Sequence, residues 1–187
     1  MNTKKHFFTT YDLILSALFV ALISVGAFIR IPVGPVPITL QIMFVLLAGQ
    51  LLKWHSAVIT LCVYTALGLL GLPVFSGGGG IGYVLTPSFG YVIGFILASA
   101  VVSVISNNGK QTIVRFFTAN MVGLIIVYLF GLAYYILLSR FYFGEIIDLG
   151  SVLLMGSVVF VPSDLLFCIL NAIISKRIKP IINRKGS

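Results

Sequence analysis

Charge is scarce in this sequence. Of its 187 residues 9% are charged, and only four are acidic. A soluble domain carries about 25% charged residues. A chain this poor in them cannot cover a water-exposed surface, so a water-soluble fold is excluded. Cysteine is nearly absent, and Cys62 and Cys168 each sit alone inside an apolar run. That removes a disulfide framework and any cysteine-based metal spacing, and leaves both as small buried hydrophobes. Two histidines, His6 and His55, and four acids are too few and too scattered to set a nucleophile beside a base or to assemble a metal site. H-E-x-x-H is missing. So is G-x-x-x-x-G-K-[ST], the loop that cradles nucleotide phosphates. An enzyme, a resident cofactor or metal, and ATP hydrolysis by this chain are therefore not expected.

What the sequence does have is length of apolar run, with 59% hydrophobic residues. A helix needs about 20 residues to cross a bilayer core of roughly 30 Å. A membrane β-barrel would alternate apolar and polar residues, whereas 13–29 is apolar on every side. The basic start before this run has the outline of a signal peptide. The run is long for one and lacks an A-x-A site, so it reads as a first helix. The pattern predicts an all-α integral membrane protein of six transmembrane helices in a single domain, 1–187. The helices fall near 12–29, 38–52, 56–70, 88–105, 112–138 and 151–178, the last interrupted at Pro162.

The basic residues test that count. With the N-terminus inside, Lys4, Lys5, Lys53, Lys110, Arg115, Lys176, Arg177, Lys179, Arg184 and Lys185 fall on the inner side, against Arg30 and Arg140 on the outer. This is the asymmetry of the positive-inside rule, and an even number of spans puts both termini in the cytoplasm. The net charge of +8 then follows from topology in a lipid bilayer, with no nucleic-acid partner.

The three outer segments, the first, third and fifth loops in chain order, are the elaborated ones, which suits capture of something from outside the cell. The first is proline-rich (Pro32, Pro35, Pro37), which favours extended backbone. The third carries Gly77, Gly78, Gly79 and Gly80, whose backbone can approach a ligand closely and whose N–H groups are able to form an anion-holding concavity; a loop without a ligand has the same composition. The fifth holds Glu145 and Asp148. Asp164 stands out, because it lies in an apolar stretch just after Pro162 and Ser163. A carboxylate at bilayer depth costs at least about 2.5–3.5 kcal/mol and marks function by default, although Ser163 and Asp164 also suit the start of a helix after the proline. Ala17 and Ala21 form a small-xxx-small pair on the first helix, a flat stripe that lets another helix come close.

Five segments together carry a family resemblance. They are 35–41 (PVPITLQ), 71–75 (GLPVF), 77–83 (GGGGIGY), 90–95 (GYVIGF) and 162–164 (PSD). In order and spacing, over nearly the whole chain, they resemble the BioY family, the biotin-binding S components of energy-coupling-factor (ECF) transporters. The resemblance implies the ECF S-component fold in the plasma membrane of a prokaryote, with biotin as the transported ligand held near the outer surface. It implies Asp164 on the ureido ring of biotin, and Gln41, Tyr83, Tyr91 and Gly77, Gly78, Gly79 and Gly80 around the ligand. It implies as partners a transmembrane coupling subunit, docked on Ala17 and Ala21, and two cytoplasmic ATPases that alone use ATP. One position departs. Many members have a lysine three residues after the aspartate, suited to the ligand carboxylate, and here that residue is Phe167. The glycine-loop N–H groups, Ser76 or Arg30 remain as substitutes. An S component for another vitamin-like molecule, and a stand-alone secondary carrier, remain as alternatives.

Overall fold

The computed structural model describes residues 9–33, 35–144 and 148–185. Lys4, Lys5, His6, Gly34 and Glu145 lie outside the described residues. The chain folds into helices α1 (Thr10–Phe28), α2 (Gln41–Leu51), α3 (Trp54–Leu69), α4 (Phe89–Asn107), α5 (Ile113–Leu138), the short α6 (Leu149–Leu153) and α7 (Val161–Lys185). A π turn, Leu154–Val158, joins α6 toward α7, so the last apolar rod is composite and the rods number six among the described residues. Four stretches are long and apolar enough to cross a membrane: Thr10–Phe28, Phe89–Asn107, Ile113–Phe143 and Gly156–Ile182.

The second rod departs most from its expected range. α2 has 11 residues, about 16 Å at 1.5 Å per residue, or half a bilayer core. Its expected first turn is instead extended. Ile38–Thr39 (β2) pairs antiparallel with Arg30–Ile31 (β1), Arg30 opposite Thr39 and Ile31 opposite Ile38. Pro35 and Pro37 lie in the connection, where their fixed φ and missing N–H suit a turn and oppose a helix. Nine of the eleven α2 residues are buried, so α2 is a core helix shielded by its neighbours.

Starts and stops elsewhere follow local chemistry. α1 opens on a capping box: the Asp12 backbone N–H donates to the Thr9 hydroxyl, and the Thr9 N–H donates to the Asp12 carboxylate, both at 3.1 Å. Lys53 pairs with the same carboxylate at 3.5 Å. α7 begins at Val161, so Pro162 falls in its first turn, where a missing N–H costs little. The expected interruption is real, and lies at the π turn and residues 159–160 just before it.

Helices α4 and α5 make the most extensive contact in the bundle. Glycines permit it: a Cβ on Gly90 would lie 2.2 Å from Cβ of Tyr134, and one on Gly94 3.0 Å from the Cα of Val127. Away from the hairpin end, a polar network ties α2, α5 and α7. Gln50 donates to the Asn120 side chain at 2.7 Å and to the Phe116 carbonyl at 2.9 Å, and accepts from Ser175 at 2.5 Å. Lys179 is fully buried there. It donates to the carbonyls of Gln50 and Ser106 and sits 5.3 Å over the Phe116 ring. Among the basic residues expected on the inner side, Lys179 is thus a structural cation rather than a surface charge.

Candidate functional site

The hairpin end of the bundle contains a cavity. The hairpin supplies Val36, Pro37, Ile38 and Thr39, α2 supplies Gln41 and Ile42, and α4 supplies Tyr91, Val92 and Phe95. From α5 come Val127 and Tyr128, and Phe160 and Asp164 arrive with the start of α7. Ser76, Tyr83 and Ser88 complete the lining, and the cavity between them is narrow, about 50 Å3. Ligand pockets combine apolar walls with a few placed polar groups, and this lining has both.

Asp164 is 5% exposed. Its Oδ2 accepts from the Tyr128 hydroxyl at 2.5 Å, and Oδ1 has no hydrogen bond among the described residues. The ion pair found among those residues is Lys53–Asp12, so none of their cations compensates Asp164. The carboxylate therefore does not serve as a helix cap: its one partner is on α5, while its own backbone N–H donates to the Phe160 carbonyl at 2.9 Å. A buried carboxylate needs hydrogen-bond donors, and half of this one's capacity is left for the cavity. The arrangement is suited to a small molecule with N–H donors at one end and an apolar body.

Next to this cavity lies a vestibule lined by Arg30, Pro32, Pro35, Gly77, Thr86 and Pro87, which shares Pro37, Ser76, Tyr83 and Ser88 with the inner space. The glycine loop forms one wall. Phe75 and Gly78 exchange backbone hydrogen bonds at 2.9 and 3.1 Å, and the Gly80 N–H donates to the Gly68 carbonyl at 2.7 Å. Gly78 and Gly80 have φ of +117° and +104°, a region open to glycine at no steric cost. Phe75 pins the loop. It is 1% exposed, stacks on Tyr83 with ring centroids 4.4 Å apart, and meets Tyr64 edge-on at 5.4 Å. Tyr64 in turn accepts from Gln41 at 2.8 Å and donates to the Val74 carbonyl at 3.0 Å.

The residues singled out from the sequence are thus distributed unequally. Asp164, Gln41, Tyr83 and Tyr91 line the inner cavity together. Tyr91 also donates to the Gly156 carbonyl at 2.6 Å, fastening α4 to the π turn. Gly77 lines the vestibule, whereas Gly78, Gly79 and Gly80 line neither space. The N–H of Gly78 is spent on Phe75 within the loop and that of Gly80 on Gly68 in the last turn of α3. Phe167 packs against the core and is not a lining residue. Ala17 and Ala21 are both exposed on α1, on a face shared with Ile14, Leu18 and Val25 and turned away from the buried Phe19 and Ile23. Sequence reasoning misses Tyr128, Thr39 and Ser88. A hydroxyl in the middle of the apolar run of α5 is the available signal for Tyr128.

Apolar helices around a cavity with a single buried carboxylate define a helical membrane protein built to hold a small molecule. A family model described as the BioY family matches residues 1–184. The chain belongs to the BioY family. It is 42% identical to a probable biotin transporter BioY of Lysinibacillus sphaericus, over 91% of this chain and 87% of that one. To the biotin transporter BioY of Thermotoga maritima it is 36% identical, over 90% and 95% of the two chains. A crystal structure at 2.1 Å of the S-component for biotin from an ECF-type ABC transporter matches it with a TM-score of 0.78 and 30% identity, covering 92% of this chain and 95% of that one.

Proposed function

We propose that this chain is the biotin-capturing S component of an ECF-type uptake transporter, set in the plasma membrane of a prokaryote with six spans and both termini in the cytoplasm. The observation that carries the reading is Asp164, a buried carboxylate with, among the described residues, one side-chain donor and one oxygen free of hydrogen bonds, at a cavity of mixed apolar and hydroxyl-bearing walls. The ureido ring of biotin offers two N–H donors and a carbonyl acceptor. Asp164 accepts from the N–H side, through charge-assisted bonds that are strong where water is excluded. Gln41, Tyr83 and Tyr91 supply polar contacts, and Val92, Phe95 and Phe160 enclose the sulfur ring and the aliphatic chain. Gly77, Gly78, Gly79 and Gly80 act through the shape of the loop that carries Ser76 and Tyr83. No bond of the ligand is made or broken.

Uptake requires partners. Ala17 and Ala21 offer a transmembrane coupling subunit a flat stripe on α1, and two cytoplasmic ATPases hydrolyse the nucleotide. The double substitution Ala17→Trp, Ala21→Trp is expected to abolish co-purification with the cognate coupling module and leave the affinity of the chain for biotin unchanged. Co-purification at the wild-type level would place the docking face elsewhere. Tyr128→Phe removes the one donor to Asp164 and frees the carboxylate to turn. Its expected effect on biotin affinity is a loss of about tenfold, the worth of one hydrogen bond to a charged group, and calorimetry reads it.

The ligand itself is tested by extraction. Protein purified from cells grown with biotin and then denatured is expected to release biotin, identified by mass spectrometry. Release of a different molecule would assign the chain to another ligand of the same fold, and accumulation of biotin in liposomes by the chain alone at a physiological rate would make it a stand-alone carrier.

A further inference from the structure

The two ends of the site are chemically unlike. The deep end holds a carboxylate, and the vestibule holds no acid but one guanidinium, that of Arg30. The hairpin register puts Arg30 opposite Thr39, which lines the inner cavity. From there the Arg30 side chain reaches across to the glycine loop and donates through Nη1 to the Ser76 carbonyl. Ser76 lines both spaces, so the guanidinium stands at their junction. Arg30 is exposed. A guanidinium has five N–H donors in a planar fork that matches a carboxylate, and one Nη1 contact leaves the others for a ligand.

Several other anion donors at this end are engaged. The N–H groups of Gly78 and Gly80 bond within the protein. The Ser76 hydroxyl is paired with the Tyr83 hydroxyl at 3.1 Å. Phe167 carries no charge and packs against the core. Among the described residues lining either space, Arg30 is the one cation.

We propose that Arg30 receives the anionic end of the ligand: with the N–H donors of the ligand on Asp164, a carboxylate at the other end of its chain lies in the vestibule against the guanidinium. The proposal rests on the reading of the site as a biotin site and names the group that selects for the free acid. The Ser76 contact gives Arg30 a second effect, because the same side chain clasps the hairpin to the glycine loop and a bound carboxylate joins that clasp.

Titration of the wild type, Arg30→Gln and Arg30→Lys with biotin and with biotin methyl ester, which keeps both rings and lacks the charge, separates the outcomes. The wild type is expected to bind biotin between about ten- and a hundredfold more tightly than the ester, the worth of a charge-assisted contact. Arg30→Gln is expected to weaken biotin much more than the ester, which loses only the Ser76 clasp, so that the preference for the free acid disappears; the ester binding that remains shows the variant to be folded. Arg30→Lys keeps part of the preference. Equal weakening of both ligands by Arg30→Gln would reduce Arg30 to a clasp and overturn the proposal, as would no weakening of either. Wild-type protein that binds biotin and ester equally would sink this proposal alone, whereas wild-type protein that binds neither would sink the biotin reading beneath it.

Discussion

Asp164→Asn is expected to lower the affinity for biotin by at least about a hundredfold while the protein stays folded. A hydrogen bond to a charged group is worth about 1.5–3 kcal/mol, and the substitution affects more than one. An amide at this position has one acceptor oxygen in place of two. Turned to the ligand, its N–H2 group meets N–H donors, donor against donor; turned to Tyr128, it donates to the hydroxyl oxygen and leaves the ligand a neutral amide oxygen, a weaker acceptor than a carboxylate. The fold has less at stake, because Asp164 holds no ion pair among the described residues and its one side-chain partner there is Tyr128. Removal of an uncompensated buried charge leaves the thermal midpoint in detergent unchanged or raises it. Calorimetry beside thermal unfolding checks both halves. A variant that binds biotin like the wild type would remove the carboxylate from the site, and a variant that fails to fold would make Asp164 structural.

Gly79→Ala is expected to destabilise the protein and weaken binding together. A Cβ at Gly79 would lie 2.1 Å from the Leu72 carbonyl oxygen and 2.7 Å from its carbon. Those atoms are backbone and cannot rotate away, so the loop has to leave its seat at the end of α3. Overpacking of this kind costs about 1–3 kcal/mol, and here it displaces the segment that carries Ser76 and Tyr83 into the cavity wall. Gly82→Ala is the matched control. A Cβ there meets nothing within 4 Å, and the residue is not among the glycines with positive φ. The expected pair of results is a lowered melting midpoint and weaker biotin binding for Gly79→Ala, with neither for Gly82→Ala. Equal behaviour of the two would show that the seat of the loop does not matter.

These two residues also show where the sequence is legible. Asp164 announces itself, because an acid in an apolar run has a cost that composition alone reveals. The helical rods are equally plain, since length and apolarity are one-dimensional properties. The expected start of 12 and end of 105 against the observed Thr10 and Asn107 are ordinary differences at frayed ends. The β-hairpin at Arg30–Thr39 is hidden in the sequence. Two-residue strands carry no periodicity, and the prolines announce only that the backbone is extended. The glycine run suggests first what glycine exposes to a ligand. In the structure much of its meaning is what a Cβ would strike, namely Leu72 for Gly79 and the Tyr83 ring, at 3.2 Å, for Gly77. That is a property of the packed loop. Lys179 follows the same logic: on charge alone it belongs with the inner basic residues, and only the meeting of α2, α4 and α7 shows two carbonyls waiting for it. Tyr128 escapes notice because a tyrosine among many aromatics gives no sign of which one faces an acid.

The measurement closest to the central claim is a calorimetric titration of the purified chain alone, expressed without biotin and solubilised in detergent, with biotin in the syringe. Tight saturable binding of one biotin per chain is expected, with no partner subunit and no nucleotide present. A folded chain with a cooperative melt that takes up no biotin would contradict it.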